Sequence, residues 1–259
     1  MTIFHSFILG IVEGITEFLP ISSTAHLIVT SRILNLPQTD FQKFFEVFIQ
    51  SGAILAVIFL YLQYVLKNKS VIKTIIFSFI PTAVIGLFLY KIIKNIFFES
   101  NILIVAAMFI IGLVFLAMEY FIKQKKLILE KSISEIGIKE AIIIGLGQSL
   151  AVVPGVSRAG IVMVFMMMLG YRREESAKYS FLLAVPTILA ATGLDLFKTI
   201  QTVTISLREV GLLAIGFVVS LITAYLVVKW FVGFLQKNSL VVFGIYRILL
   251  ALLIIQLFK

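Results

Sequence analysis

The chain has 259 residues, of which 61% are hydrophobic and 14% charged, and its mean hydropathy is +1.12. Soluble domains contain roughly 45–50% apolar residues, so this composition predicts an integral membrane protein. The chain contains no cysteine, which excludes disulfides, thiolate catalysis and Cys-type metal sites. The net charge of +9 comes from basic residues in short loops between apolar runs, a pattern that favours anionic lipid over nucleic acid as the partner.

The first predicted element is an apolar stretch at about residues 3–34 that is interrupted at Pro20. Non-helical backbone at membrane depth is tolerated only where it is buried in protein or lines a watery cavity. The stretch is therefore predicted to form a re-entrant helical hairpin. It also carries Glu13, Glu17 and His26, and ionisable groups inside a membrane segment indicate a functional site.

Three uninterrupted apolar runs follow, then a second broken stretch at about residues 136–170, then three more runs. Each run has about the 20 residues that a helix needs to cross a bilayer. The second stretch is interrupted at Pro154 and is predicted to be another re-entrant hairpin. The sequence thus predicts an all-α integral membrane protein with two re-entrant hairpins and six transmembrane helices, at about 42–63, 72–93, 101–122, 178–197, 209–231 and 239–258.

The two halves of the chain are related by a shift of 134 positions, which aligns Pro20 with Pro154 and Ser23 with Ser157. Since each half has three crossings, the second half must be inserted upside down relative to the first, giving an inverted-topology repeat. We predict a single membrane domain over residues 1–259, with the first repeat in 1–122 and the second in 136–259.

The distribution of Lys and Arg predicts the orientation. If each hairpin returns to the face from which it enters, one face carries 13 of these residues and the other, with both termini, carries 7. The positive-inside rule assigns the face with 13 to the cytoplasm. We therefore expect both termini, and the mouth of the first hairpin, on the exterior or periplasmic side.

Two carboxylates precede the break in the first hairpin. Glu13 and Glu17 are four residues apart and share one face of a helix. They are candidate catalytic residues for acid/base chemistry. They are also candidate ligands for a divalent cation such as Mg²⁺ or Ca²⁺ that bridges phosphate oxygens. The alternative is that these carboxylates only hold helices together.

Hydroxyls and an imidazole follow the same break. Ser22, Ser23 and Thr24 are placed to cap the next helix, and His26 follows Ser23 by three residues, so the two share a helix face. Ser23 and His26 add a nucleophile and a proton carrier to the carboxylates. Helix capping alone is the alternative role for the three hydroxyl residues.

The second break has the residues of an anion site. Pro154 and Gly155 open the backbone, and Ser157 and Arg158 begin the next helix. A helix N-terminus that carries an Arg binds a phosphate-sized anion through its amides, its dipole and a two-donor guanidinium. Together the two breaks predict phosphoryl or pyrophosphoryl chemistry. A structural counter-ion to the glutamates is the alternative role for Arg158.

The two motifs, EGITEFLPISSTAH at residues 13–26 and PGVSRAG at 154–160, resemble the signature motifs of the undecaprenyl-diphosphate phosphatases, the bacitracin-resistance family. The segments FEVFIQSGAILAVI, FLLAVPT and IYR extend the resemblance over nearly the whole chain. It differs where the family has Ser and Thr and this chain has Ala159 and Val162. The residues that fall on the family's functional positions are Glu13, Glu17, Ser23, His26, Ser157 and Arg158.

The resemblance implies a bacterial inner-membrane hydrolase that removes the terminal phosphate of undecaprenyl diphosphate, giving undecaprenyl phosphate and recycling the cell-wall lipid carrier. It implies a long-chain isoprenoid diphosphate as partner and no organic cofactor. A homodimer is compatible with the sequence. The competing class is a secondary transporter or flippase for an anionic, phosphorylated lipid, because inverted repeats with broken helices also build transporters.

The expected mechanism uses Ser23 as the nucleophile, with Glu17 or His26 removing its proton. Attack by His26 itself or by water stays open. The diphosphate is expected between the two hairpins, where Arg158 is its main ligand. The other expected substrate-binding residues are Ser157, Ser22, Thr24 and Gly155.

Overall fold

The computed structural model describes residues 1–92, 100–202 and 205–257. Over these ranges the chain forms α-helices and two short 3-10 helices and no strand, so the all-α prediction is confirmed. Residues 93 and 258 of the predicted crossings, and Lys94 and Lys259 of the charge count, lie outside the described residues. The helices are α1 (Ile3–Thr16), α2 (Ser23–Ile33), α3 (Asp40–Lys67), α4 (Lys69–Ile92), α5 (Asn101–Lys123), α6 (Ile138–Gln148), α7 (Arg158–Met168), α8 (Arg173–Thr202), α9 (Leu207–Leu235) and α10 (Val241–Leu257).

Five helices of the described chain, α3, α4, α5, α8 and α9, are long and apolar enough to cross a membrane. Helix α10 is apolar but has only 17 residues. Helices α3 and α9 begin about two residues before their predicted apolar runs, and each has a polar N-cap; Thr39, for example, accepts a hydrogen bond from the backbone N–H of Gln42. The chain is a multi-pass membrane protein, and a count of six crossings stays a prediction.

Both broken stretches form pairs of short helices that are separated at the predicted prolines. Helix α1 ends at Thr16 and α2 starts at Ser23, with Pro20 buried between them. Helix α6 continues into a 3-10 turn at Ser149–Val152. A non-helical segment that contains Pro154 then separates this turn from α7, which starts at Arg158. None of the four helices exceeds 14 residues, which is too short to cross the ~30 Å hydrocarbon core.

The residue before α2 and the residue before α7 have the same unusual backbone. Ser22 has φ 73° and ψ 92°, and Ser157 has φ 73° and ψ 110°. This left-handed region costs energy for residues other than glycine and persists where the surrounding structure enforces it. By backbone conformation Ser157 therefore matches Ser22, whereas the shift of 134 aligns it with Ser23. The difference arises because two residues separate Pro154 from Ser157, but only one separates Pro20 from Ser22.

Each hairpin packs against a crossing from the other half of the chain, α1 against α9 and α6 against α4. The hydroxyl of Ser6 on α1 donates to the Leu212 carbonyl on α9 at 2.5 Å. The hydroxyl of Ser78 on α4 donates to the Ala141 carbonyl on α6 at 2.7 Å. Gly145 allows this second contact, since a Cβ there would lie 2.2 Å from the Ser78 carbonyl oxygen.

Helix ends from distant parts of the chain lie together at the two ends of the helical bundle. Arg173 at the start of α8 donates through Nε and Nη2 to Glu119 near the end of α5, at 2.8 and 2.5 Å. The N–H of Leu240, just before α10, donates to the same carboxylate at 2.8 Å. At the opposite end of α9, Arg208 donates to the Met1 carbonyl at 3.4 Å. The N-terminus thus lies away from the face on which Arg173 and its neighbours gather.

Candidate active site

Ser23 and Arg158 contact the same carboxylate, although they come from different hairpins. The Ser23 hydroxyl donates to Oε2 of Glu17 at 2.6 Å, and Nη2 of Arg158 donates to Oε1 at 2.7 Å. Glu17 lies just past the end of α1, Ser23 is the first residue of α2, and Arg158 is the first residue of α7. The two breaks therefore meet at Glu17, as the expected site requires. All three side chains are largely buried.

The guanidinium of Arg158 is partly engaged by the protein. Besides Glu17, it donates through Nη1 to the Ser180 carbonyl on α8 at 2.9 Å, and it lies 5.7 Å from the centre of the Phe18 ring. Its Nε is buried and has no hydrogen-bond partner among the described residues. A buried donor without an acceptor is costly. The contacts agree with the counter-ion role, and the free Nε leaves a donor for an anion.

Glu13 is fully buried, and neither of its carboxylate oxygens has a hydrogen-bond partner among the described residues. Native proteins satisfy nearly all buried polar atoms, so each exception calls for an explanation. Holding helices together does not supply one, because among the described residues neither oxygen accepts a hydrogen bond from another helix. The two unpartnered oxygens are suited to a proton, a cation or a polar ligand that enters the site.

Both ring nitrogens of His26 are engaged. Nδ1 lies 2.7 Å from the Ser22 carbonyl oxygen, and Nε2 lies 2.7 Å from the hydroxyl of Tyr246 on α10. The Ser23 hydroxyl donates to Glu17 instead of to the imidazole. Of the two bases expected for Ser23, Glu17 is thus the one in direct contact.

The hydroxyls at the two helix starts have different roles. The Ser157 hydroxyl accepts from the backbone N–H of Gly160 at 3.2 Å and caps α7. Ser22 stands at the N-cap of α2, yet its side chain makes no capping hydrogen bond, so the alternative of helix capping alone does not hold for it. Thr24, in the first turn of α2, is half-buried. Capping thus accounts for the hydroxyl of Ser157 alone among these residues.

The backbone of the second break requires glycine at position 155. Its φ is +94°, and a Cβ at this position would lie 2.3 Å from the Ile104 carbonyl oxygen. Only glycine adopts this conformation readily and leaves this space. Beside it, Ala159 and Val162, where the chain departs from the family motif, are fully buried.

Arg247 on α10 links the backbones of the two breaks. It is fully buried and donates to the carbonyls of Pro20 at 3.0 Å, Gly155 at 2.5 Å and Val156 at 3.1 Å. It also donates to the Met108 carbonyl on α5 at 3.3 Å. Among the described residues no carboxylate pairs with it. Its five fixed donors suit it to hold several carbonyls at once.

Sequence reasoning assigned no role to Tyr246 or Arg247. The segment IYR, at residues 245–247, was part of the family resemblance, and a charged residue inside an apolar run was a signal for Arg247. Its partners were not visible in the sequence, because they are backbone carbonyls more than 90 positions away from it.

A family model described as bacitracin resistance protein BacA matches residues 6–253, nearly the whole chain. The chain belongs to the BacA family. A curated relative named undecaprenyl-diphosphatase, from Persephonella marina, is 47% identical over 251 residues, 96% of each chain. A relative with the same name from Aquifex aeolicus is 44% identical over 97% of both chains. Another, from Wolinella succinogenes, is also 44% identical, over 98% of this chain and 97% of the relative. The family resemblance is thus confirmed over nearly the whole chain of this BacA family member.

Proposed function

We propose that this protein is a membrane phosphatase that hydrolyses the terminal phosphate of undecaprenyl diphosphate, releasing inorganic phosphate and undecaprenyl phosphate. One observation carries the proposal: Glu17 receives the Ser23 hydroxyl on one oxygen and the Arg158 guanidinium on the other. The Ser23 hydroxyl, the Glu17 base and the Arg158 guanidinium, which is suited to bind phosphate, thus form one hydrogen-bonded unit. The names of the relatives, undecaprenyl-diphosphatase, supply the substrate.

The diphosphate is proposed to lie between the two breaks, with its terminal phosphate at Arg158. The unpartnered Nε of Arg158 and the first amides of α7 support binding there, since a helix N-terminus and a guanidinium both favour phosphate. Ser157, Ser22, Thr24 and Gly155 line the same two breaks and stay candidate substrate contacts. The isoprenoid tail would extend into the acyl region, for which the apolar surfaces of the crossings are suited.

The geometry favours Ser23 as the nucleophile and Glu17 as its base. The Ser23 proton passes to the Glu17 carboxylate as Oγ bonds to the terminal phosphorus, and the bond to undecaprenyl phosphate breaks. Water then attacks the phosphoserine and inorganic phosphate leaves, so that one water is consumed per turnover. His26 is the proposed proton carrier for the water or the leaving oxygen. The 2.6 Å contact between Ser23 and Glu17 supports Ser23 as the nucleophile and Glu17 as its base. Among the described residues no comparable contact supports attack by His26 itself.

A divalent cation, Mg²⁺ or Ca²⁺, fits this site in part. Glu13 offers two free oxygens, the type of ligand that both cations prefer, while Glu17 has both oxygens engaged. No cluster of three or more His, Asp or Glu residues that could hold a metal exists in the described part of the chain. Glu13 would therefore hold the cation together with oxygens of the substrate. A cation there would neutralise negative charge on the diphosphate.

The test is phosphate release by the purified protein in detergent. We expect inorganic phosphate from undecaprenyl diphosphate, with undecaprenyl phosphate as the other product and no release from undecaprenyl phosphate itself. The matched control is Ser23→Ala. A protein that moves the diphosphate lipid across liposomes without releasing phosphate would instead be a flippase, the alternative class.

The same proposal includes the location and architecture: a bacterial inner membrane, both termini and the site's mouth outside, and an inverted repeat of residues 1–122 and 136–259. The shared backbone of Ser22 and Ser157 supports the repeat, as does the reciprocal packing of α1 on α9 and of α6 on α4. A homodimer stays a prediction, which the molar mass of the detergent-solubilised protein would test.

A further inference from the structure

Tyr246 contacts His26 from the opposite end of the chain. Its hydroxyl lies 2.7 Å from Nε2 of His26, and the two rings are parallel, with 5° between their planes and 5.7 Å between their centres. Neither the two signature motifs nor the proposed chemistry uses Tyr246. The contact therefore needs an explanation of its own.

The two hydrogen bonds of His26 define its tautomer. The Ser22 carbonyl oxygen can only accept, so Nδ1 must carry a proton. In the neutral ring Nε2 then holds the lone pair, and the Tyr246 hydroxyl donates to it. The partner of one ring nitrogen thus determines what the other nitrogen can do.

We propose that Tyr246 is a positioning residue that holds the ring of His26 in place and hydrogen-bonds to Nε2, so that Nε2, in the tautomer set by the Ser22 carbonyl, is the nitrogen that exchanges a proton during phosphate release. The inference rests on the proposed function, in which His26 carries a proton. When Nε2 gains a proton, the tyrosine hydroxyl rotates from donor to acceptor, and no heavy atom has to move.

The location of Tyr246 suits this role. Its neighbour Arg247 is fully buried and held by four backbone carbonyls, so the first turns of α10 are fixed relative to both breaks. Tyr246 is 41% exposed, so packing alone does not account for the orientation of its hydroxyl toward His26.

Nitrogen NMR of histidine tests the positioning directly, independent of activity. The chain has only two histidines, and His5→Gln leaves His26 as the single signal. Glutamine is a common partner of an N-cap threonine, so it replaces His5 in its contact with Thr2. We expect the Nδ1–H tautomer both in this background and after Tyr246→Phe, because the Ser22 carbonyl stays, but a downfield shift of the Nε2 resonance once its hydrogen-bond donor is removed. An unchanged Nε2 resonance would overturn the proposal.

Kinetics test whether the positioning matters for turnover. Tyr246→Phe keeps the ring and its packing but removes the hydroxyl. We expect kcat to fall about tenfold, equivalent to about 1.4 kcal/mol, and KM to change less than about twofold. The limb of the pH profile that reports His26 should shift. The matched control is Tyr225→Phe, an exposed tyrosine on α9, which should change none of these.

The two measurements separate the possible failures. A wild-type protein without phosphate release overturns the proposed function, while the NMR comparison still decides whether Tyr246 is bonded to Nε2 of His26. A Tyr246→Phe variant with a changed Nε2 resonance but wild-type kcat and pH profile overturns the link between Tyr246 and the reaction. A purely structural contact would lower Tm and leave the pH profile unchanged.

Discussion

Glu17 and Arg158 are 141 positions apart in the chain, yet Nη2 of Arg158 lies 2.7 Å from Oε1 of Glu17. The pair is largely buried, with 10% and 7% of the two side chains exposed. Burying a charge pair is costly, so such pairs often contribute little net stability. Its position at the junction of the two hairpins supports the proposed anion-binding role of Arg158, for which Glu17 would keep the guanidinium in place.

Arg158→Ala should reduce kcat/KM for phosphate release by about 10- to 150-fold, since one charge-assisted hydrogen bond contributes roughly 1.5–3 kcal/mol. Arg158→Lys should restore little, because one ammonium cannot contact Glu17, the Ser180 carbonyl and a phosphate in the planar arrangement of a guanidinium. Steady-state kinetics on folded protein decide the matter. A fully active alanine variant would contradict the assignment of Arg158.

Glu13 and Glu17 should respond differently to replacement by glutamine. Glu13→Gln removes a buried carboxylate without a partner, so Tm should stay the same or rise while phosphate release falls. Glu17→Gln leaves the Arg158 charge unpaired, which costs about 3–5 kcal/mol for a buried pair, so both Tm and activity should fall. Thermal unfolding and phosphate release, measured on the same preparations, separate the two effects. Equal losses of Tm would contradict the unpaired state of Glu13.

The breaks at Pro20 and Pro154 could be predicted from the sequence because each proline stands together with Gly or Ser in an apolar run, whereas Pro81 and Pro186 lie inside continuous helices. The clustering of Glu17, Ser23 and Arg158 followed from the same two breaks. The connections made by Arg247 could not be predicted, because its acceptors are carbonyl oxygens, which every residue type has. The left-handed backbone of Ser22 was equally hidden, since serine has no preference for that conformation.

The orientation predicts which loops are accessible from each side. The chain has no cysteine, so single cysteines can be introduced at exposed positions near helix ends. Asp40→Cys and Leu207→Cys should react with an impermeant maleimide on intact cells. Gln124→Cys and Gln236→Cys should react only after the membrane is made permeable. Each pair of variants is the control for the other pair. The reverse pattern would place both termini in the cytoplasm.

Arg247 should be needed for the geometry of both breaks. Arg247→Lys keeps the charge, but its ammonium cannot contact the Pro20, Gly155 and Met108 carbonyls together, so we expect at least about a tenfold loss of kcat. Arg247→Met leaves those carbonyls without a donor, at about 1–3 kcal/mol each, and should lower Tm strongly. Arg172→Lys, at a more exposed ion pair with Glu174, is the matched control. Wild-type kcat in Arg247→Lys would show that the breaks hold their shape without it.

Ser23 and Ser22 are adjacent, and the comparison of their alanine variants identifies the nucleophile. Ser23 donates to Glu17 at 2.6 Å, so Ser23→Ala should reduce phosphate release at least about 1,000-fold, as expected for a residue that forms the covalent intermediate. Ser22→Ala keeps the carbonyl that accepts from His26 and removes a hydroxyl without a capping bond, so it should cost no more than one substrate hydrogen bond, about tenfold.

A double variant provides the stricter test of the same assignment. If Ser23 and Glu17 act in one step, Ser23→Ala combined with Glu17→Gln should be little slower than Ser23→Ala alone. Losses that multiply would mean that the two residues act independently. If Ser22→Ala abolishes release and Ser23→Ala does not, the nucleophile is Ser22. If both variants stay active, attack must come from His26 or from water, and the Ser23–Glu17 contact serves to orient the carboxylate toward Arg158.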